Sequence, residues 1–123
     1  MPLNVLSILG DAVWIVAMSM IASATRAAWA RLAADARLPM QWGVDRKPTW
    51  RAGKPLALAI TVGFPLVFGL VLSGLARAPG LAADQLTILF LVRVATAPLF
   101  ILGHMLWMRA ALRTLEAEGA LKP

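Results

Sequence analysis

Apolar residues fill three long stretches of the chain, and polar residues collect between and after them. The apolar stretches cover residues 5–25, 55–76 and 86–108. Each has about the 20 residues that an α-helix needs to cross a hydrocarbon core of about 30 Å. Since backbone polar groups in lipid must be satisfied within the structure, the pattern predicts helices rather than open strands. We expect an all-α integral membrane protein, with residues 1–123 forming a single three-helix membrane domain.

The first and third helices are expected to extend beyond the bilayer. Residues 25–38 continue the first stretch with high helix propensity, and Pro39 should end it because the residue before proline avoids helical angles. The third helix should run to about Gly119, a residue type that often ends helices. The first stretch does not resemble a cleaved signal peptide, since residues 1–4 have no basic side chain and Asp11 follows.

Composition supports a membrane protein. The chain is 60% hydrophobic and 15% charged, whereas soluble domains are about 45–50% apolar and about 25% charged. The net charge is +6, and the basic residues flank the apolar stretches. Anionic lipid headgroups are therefore the expected counterpart, and nucleic acid is not an expected partner. The chain has no cysteine, which excludes disulfides, Cys-based zinc sites and thiol nucleophiles.

The basic residues also predict an orientation. In a three-span chain the first loop and the C-terminal tail share one side, and the opposite side holds Arg77 and the N-terminal amine. Basic residues in short loops favour the cytoplasm. We therefore expect the bacterial inner (plasma) membrane, with the N-terminus outside and the first loop and C-terminus cytoplasmic. The basic residues of the first loop and tail are Arg26, Arg31, Arg37, Arg46, Lys47, Arg51, Lys54, Arg109, Arg113 and Lys122.

Residues 38–54 form a polar loop between the first two helices. Tryptophan favours the headgroup zone, basic groups can meet lipid phosphates, and prolines discourage a regular helix. Two interpretations remain open: an interfacial anchor that sets the depth of helices one and two, or a docking surface for a partner protein or a specific lipid. The candidate residues are Trp42, Arg46, Lys47, Trp50, Arg51 and Lys54.

The same loop resembles one found near the N-terminus of SdpI-type immunity proteins, within a bacterial membrane family of unknown function. The shared features are Leu38–Pro39, Gln41–Trp42, the following GVDRKPTW and Lys54 before an apolar stretch. Gln41 replaces the histidine usual in that family, Gly43 an asparagine, and Arg46 a common glycine. The resemblance covers residues 38–54 and the helix layout. It implies a small polytopic bacterial membrane protein and no particular reaction.

Asp11, Arg93 and His104 are ionisable residues inside the apolar stretches. Such residues are costly in lipid and usually face another helix, a partner or a cavity. Asp11 and Arg93 lie at a matched depth of about 10 Å from the same face, at about 1.5 Å per residue. Their opposite charges predict an interhelical ion pair. The alternatives are separate snorkelling to the headgroups and a proton or ion pathway.

His104 follows Arg93 by about three helical turns, so both should lie on one stripe with Ala97 and Phe100. Packing or an interfacial position is the expected role of His104. Ligation of a pigment or haem in a larger assembly remains an alternative, although the sequence has no second ligand or attachment motif for it. No cofactor or metal is expected.

The chain lacks a Gly-rich phosphate loop, a nucleophile elbow and a metal-ligand cluster, so we expect no enzyme and no catalytic residue. Two functional classes remain. The first is an accessory, structural or immunity-type subunit of a larger membrane complex. The alternative is a minimal oligomeric transporter or channel that uses Asp11 and Arg93. Expected partners are membrane lipids and another membrane protein, or a second copy of the chain in a homo-oligomer.

Overall fold

Three helices and one β-hairpin make up the part of the chain that the structure describes. A computed structural model describes residues 3–122, with side chains from Val5 to Lys122. The elements are α1 (Leu3–Arg31), β1 (Arg37–Trp42), β2 (Pro48–Gly53), α2 (Lys54–Leu75) and α3 (Ala83–Ala117). All three helices are long and apolar enough to cross a membrane. The chain is mostly helical, and the three membrane-length helices of the predicted all-α protein are confirmed. The N-terminal amine, which entered the charge count, lies outside the described residues.

The three helices meet at an aromatic cluster near their middle. The buried ring of Trp14 in α1 lies 5.7 Å from Phe68 of α2 and 5.7 Å from Phe100 of α3, measured between ring centroids. The Trp14 indole Nε1 also donates a hydrogen bond of 3.0 Å to the carbonyl oxygen of Pro65. Since lipid gives helices little hydrophobic reason to associate, packing and interhelical hydrogen bonds of this kind hold them in register.

The predicted extension of the first helix to Leu38 is wrong, because α1 ends at Arg31. Carbonyl groups at a helix end need donors, and here distant parts of the chain provide them. The backbone N–H of Lys122 donates to the carbonyl of Arg31 at 3.0 Å, and the Lys54 Nζ donates to the carbonyl of Leu32 at 3.0 Å. These long-range bonds outweigh the helix propensity of the residues before Leu38.

The polar loop is more regular than predicted, since it contains a two-stranded antiparallel sheet. This β-hairpin is a departure from the predicted all-α fold. Arg37 pairs with Gly53 at the base and Trp42 with Pro48 at the tip, with irregular register between them. Both strands are edges, where proline is tolerated because its missing N–H need not join a ladder. The turn is closed by the Gly43 N–H, which donates to the Lys47 carbonyl at 2.9 Å.

The hairpin packs with the ends of the helices into a unit that we call the cap: residues 28–58 and 107–122. A continuous apolar core joins α1, both strands, α2 and α3 within it. The Trp107 indole Nε1 of α3 donates to the Pro39 carbonyl of β1 at 3.1 Å. The hairpin is thereby fixed to the ends of all three helices. The buried core residues are Ala28, Leu32, Ala36, Leu38, Ala52, Ala57, Leu58, Met108 and Leu115.

Helix α3 ends at Ala117, close to the predicted end. Gly119 adopts a φ of 67°, in the left-handed region that glycine enters easily. Its backbone N–H donates to the Glu116 carbonyl at 3.0 Å. The chain then turns back along the cap, and Leu121 forms a bridge with Leu32. The tail therefore helps to complete the cap.

Candidate functional site

Asp11, Arg77 and Arg93 form an ion cluster at the end of the bundle opposite the cap. The Asp11 Oδ1 accepts a hydrogen bond from Arg93 Nη2, and its Oδ2 accepts one from Arg77 Nη2. Ser73 Oγ donates to Asp11 Oδ1 at 2.9 Å. The contact between Asp11 and Arg93 that matched depth predicts is therefore present. The cluster connects α1 and α3 to the C-terminal end of α2.

The Arg93 side chain is 2% exposed and packs against a glycine of α1. A Cβ atom at Gly10 would lie 2.6 Å from Arg93 Nη1, so the absence of a side chain there makes room for the guanidinium. Ser7, one turn earlier, offers its carbonyl to Arg93 Nη1 at 3.4 Å, and the Arg93 Nε has no hydrogen-bond partner among the described side chains, residues 5–122. Arg93 is therefore enclosed by α1 rather than extended toward a headgroup.

Sequence reasoning missed Arg77 and Ser73 as members of the ion cluster. Arg77 was counted only as the loop charge on the opposite side. It lies two residues after the end of α2, on the same side as Asp11 and Arg93, so the depth comparison applied to all charged residues predicts it as a member. With one carboxylate and two guanidiniums, the cluster has one uncompensated positive charge.

A groove of about 490 Å³ runs between α1 and α2 from the ion cluster. Asp11, Ser73 and Arg93 line its polar end. The rest of its lining is mostly apolar, apart from Ser19. These remaining residues are Trp14, Ile15, Met18, Ser19 and Ala22 of α1, and Leu66, Gly69 and Leu70 of α2.

His104 contacts α1, the same helix that Arg93 contacts through Asp11, but farther along it. It is buried, and its Nε2 lies 3.0 Å from the Thr25 Oγ1 of α1. Arg93, Ala97 and His104 all lie on the buried stripe of α3, as their spacing predicts. His104 thus makes a polar interhelical contact. No group of three or more potential metal-ligating side chains occurs in residues 3–122.

Lys54 does not take the position that was predicted for it in the polar loop. It was expected to meet lipid phosphates, but its side chain is buried at the start of α2. The Nζ lies 3.9 Å from the Trp29 ring centroid and donates to the Leu32 carbonyl at the end of α1. A cation near a helix C-terminus interacts favourably with the carbonyl groups exposed there. Lys54 therefore joins the two helices within the cap.

Three further residues of the predicted docking loop make hydrogen bonds within the protein: Trp42, Trp50 and Arg51. The Trp42 Nε1 donates to Thr114 Oγ1 at 3.3 Å, and the Trp50 Nε1 donates to Gln41 Oε1 at 3.2 Å. Arg51 makes a two-pronged ion pair with Glu118, with bonds of 2.9 and 2.6 Å. The Arg51 guanidinium lowers the pKa of Glu118 below its ordinary value.

Arg46 and Lys47 remain exposed at the tip of the hairpin, beside Val44. Arg46 has a φ of 63°, a left-handed conformation that is uncommon for residues other than glycine. The Asp45 Oδ1 accepts a hydrogen bond of 3.1 Å from the Lys47 backbone N–H, which stabilises the turn. The turn at the tip thus has a defined backbone shape, and its apolar and basic side chains are exposed.

Lys54→Met is expected to lower the midpoint of thermal unfolding in detergent much more than Lys47→Met. The first variant leaves the Leu32 carbonyl without its donor inside the cap and removes the cation from the Trp29 ring. The second removes an exposed charge of the same kind from the hairpin tip. Equal midpoints for the two variants would contradict the interior role of Lys54.

Comparison of the chain with protein-family models, with curated proteins and with solved structures gives no match. The resemblance of residues 38–54 to the loop of SdpI-type immunity proteins therefore stays a prediction. The site is defined by its own geometry: an ion cluster with a groove at one end of the bundle, and the cap with an exposed hairpin tip at the other.

Proposed function

We propose that this protein is a non-enzymatic accessory subunit of a larger membrane complex, of the structural or immunity type, and that it binds its partner through the hairpin tip. The observation that supports this proposal is that some side chains of the loop are bonded to the rest of the protein while those at its tip are exposed to solvent. Trp42, Arg51 and Lys54 hold the hairpin against the ends of the helices, whereas Val44 is fully exposed at the tip, followed by Asp45, Arg46 and Lys47.

An exposed valine in a rigid turn favours binding over membrane anchoring alone. A partner that covers Val44 gains buried apolar area, and Arg46 and Lys47 add electrostatic selectivity for an acidic surface. The rigid turn keeps the ordering cost of binding low. The proposed partner is therefore another membrane protein, or a second copy of the chain, with an acidic rim around an apolar pocket.

The alternative function, a minimal oligomeric transporter or channel, is favoured by the groove that Asp11 and Arg93 line. The bonding of Asp11 argues against it, however. Both carboxylate oxygens accept hydrogen bonds from arginines, and Ser73 adds a third. A carboxylate held in this way is suited to joining helices, whereas a proton carrier must exchange its partners during transport.

We propose the orientation that the basic residues predict, with the cap in the cytoplasm and the α2–α3 connection outside. Since the chain has no cysteine, single cysteines at the exposed positions Thr49 and Ala82 can report it in intact cells. A membrane-impermeant thiol reagent is expected to label position 82 and to spare position 49. The reverse labelling would show that the orientation is inverted.

The docking proposal is tested by purification from native membranes in mild detergent. Wild-type protein is expected to retain a partner in fixed ratio, and Arg46→Asn/Lys47→Gln is expected to lose it. Asparagine at position 46 tolerates the left-handed backbone. Arg109→Gln/Arg113→Gln is the control, since it removes two exposed charges from α3.

Retention of the same partner by the hairpin variant would contradict docking through the tip. Proteoliposomes that contain only this chain test the alternative function. Ion or proton flux that Asp11→Asn abolishes would establish the transporter instead of the accessory subunit.

A further inference from the structure

We propose that the groove between α1 and α2 binds one anionic phospholipid from the surrounding bilayer, with its phosphate at Arg77 and an acyl chain along the groove. The proposal requires that the helices cross a bilayer. It depends neither on which side the cap faces nor on the proposed role as an accessory subunit.

The polar end of the groove has donors left for an anion. Arg77 is half-exposed, and its guanidinium donates to the carbonyl and Oγ of Ser73 and to Asp11. A guanidinium has five N–H donors, so these three bonds leave about two for a phosphate. Ser73 and Asp11 both line the groove, which places Arg77 at its entrance. Arginine is well suited to such a site because its fork matches phosphate oxygens.

The charge at this end favours an anionic ligand over a zwitterionic one. Asp11 balances only one of the two arginines, and Arg93 is almost fully buried. An uncompensated charge is costly in a low-dielectric medium. The nearby acid Asp84 is exposed and lies nine residues before Arg93, about 13 Å farther along α3. It contacts the Gln85 backbone rather than the cluster.

The length and lining of the groove fit an acyl chain. Its α1 residues extend from Asp11 to Ala22, which is about 16 Å along the helix axis at about 1.5 Å per residue. That length is about half of a hydrocarbon core of about 30 Å, enough for a large part of one acyl chain. Ile15 and Leu70 on its walls are mostly exposed within the protein, so a chain lying there would cover them. The groove volume is also in the range of about 300–1,000 Å³ common for ligand sites.

The test is native mass spectrometry of delipidated protein titrated in detergent. The probes are phosphatidylglycerol, phosphatidylcholine with the same acyl chains, and glycerol phosphate, which has the anionic group without chains. Phosphatidylglycerol is expected to bind one per chain, about tenfold more tightly than phosphatidylcholine, because the choline cation of phosphatidylcholine is repelled by the excess positive charge of the cluster. Glycerol phosphate is expected not to bind.

Two variants examine the two ends of the site separately. Arg77→Gln is expected to abolish the preference for phosphatidylglycerol, and Arg109→Gln, at an exposed position on the cap, is expected to keep it. Ala22→Phe is expected to weaken both lipids by filling the apolar end, and Ala95→Phe, at an exposed position on α3, is expected to have no effect.

Equal affinity of wild-type protein for the two lipids would overturn the proposal. Binding of glycerol phosphate as tight as that of phosphatidylglycerol would identify a free-anion site instead of a lipid site. Unchanged binding by Ala22→Phe would show that the groove is not where the chain lies, and this result does not depend on whether Arg77→Gln folds.

Discussion

Gly69→Ala is expected to destabilise the folded protein by about 3 kcal/mol, the upper part of the usual range for overpacking. A Cβ atom at Gly69 would overlap three atoms of the Trp14 indole. The indole cannot move away easily, because it donates to the Pro65 carbonyl and packs between Phe68 and Phe100. The cost of this overlap should outweigh the gain of up to about 1 kcal/mol in helix propensity when alanine replaces glycine.

The free energy of unfolding of Gly69→Ala is measured by reversible unfolding in mixed micelles. It is compared with the free energies of unfolding of Gly63→Ala and Gly74→Ala. Both control glycines lie in the same helix, and a Cβ atom there would meet no atom within 4 Å. The controls are expected to be neutral or stabilising. Trp14→Leu should relieve the overlap, so that adding Gly69→Ala to it costs little. Equal stability of Gly69→Ala and Gly63→Ala would contradict the close packing of Trp14 on α2.

Asp11→Leu is expected to be the most harmful single change in the ion cluster. It leaves Arg93 buried and Arg77 beside it without a counter-charge. Removing one partner of a buried pair costs about 3–5 kcal/mol, and snorkelling of Arg77 or local water can reduce that figure in a bilayer. Arg93→Leu should cost less, because Asp11 keeps its bonds with Arg77 and Ser73.

The double variant Asp11→Leu/Arg93→Leu should be more stable than Asp11→Leu alone, since it removes the uncompensated buried charge. The free energies of unfolding of the two single variants and the double variant, measured in one detergent, give the coupling energy between positions 11 and 93. If the two single effects simply add in the double variant, the residues act independently and the pair is not a stabilising unit. The free energy of unfolding of the Arg77→Leu variant then shows how much the bond between Asp11 and Arg77 contributes to the stability of the cluster.

The three membrane-length helices and the contact between Asp11 and Arg93 could be derived from the sequence. Both follow from properties that can be read for each helix separately. These properties are the length of its apolar stretch and the depth of a charged residue within that stretch. The end of α3 near Gly119 follows from a similar local signal, the ease with which glycine adopts a positive φ.

Tertiary structure decided where α1 ends and how the polar loop folds. Local propensity continues a helix past Arg31, but Lys122 and Lys54 satisfy the carbonyls there from 22 or more positions away along the chain. The same contacts turn Lys54 inward at the base of the hairpin, whereas Lys47 at the hairpin tip faces outward. No pattern within the loop distinguishes these lysines, since the difference lies in the atoms that the folded chain brings to each.

The sequence by itself determined that this chain has three apolar helices and which charges share a depth within them. The tertiary structure alone decided that Gly69 receives the Trp14 indole and that Glu118 pairs with Arg51. The physical reason is that helix length and depth are set by neighbours in sequence, whereas close packing and ion pairing depend on the rotation of each helix against the others. That rotation is fixed by all contacts of the bundle together.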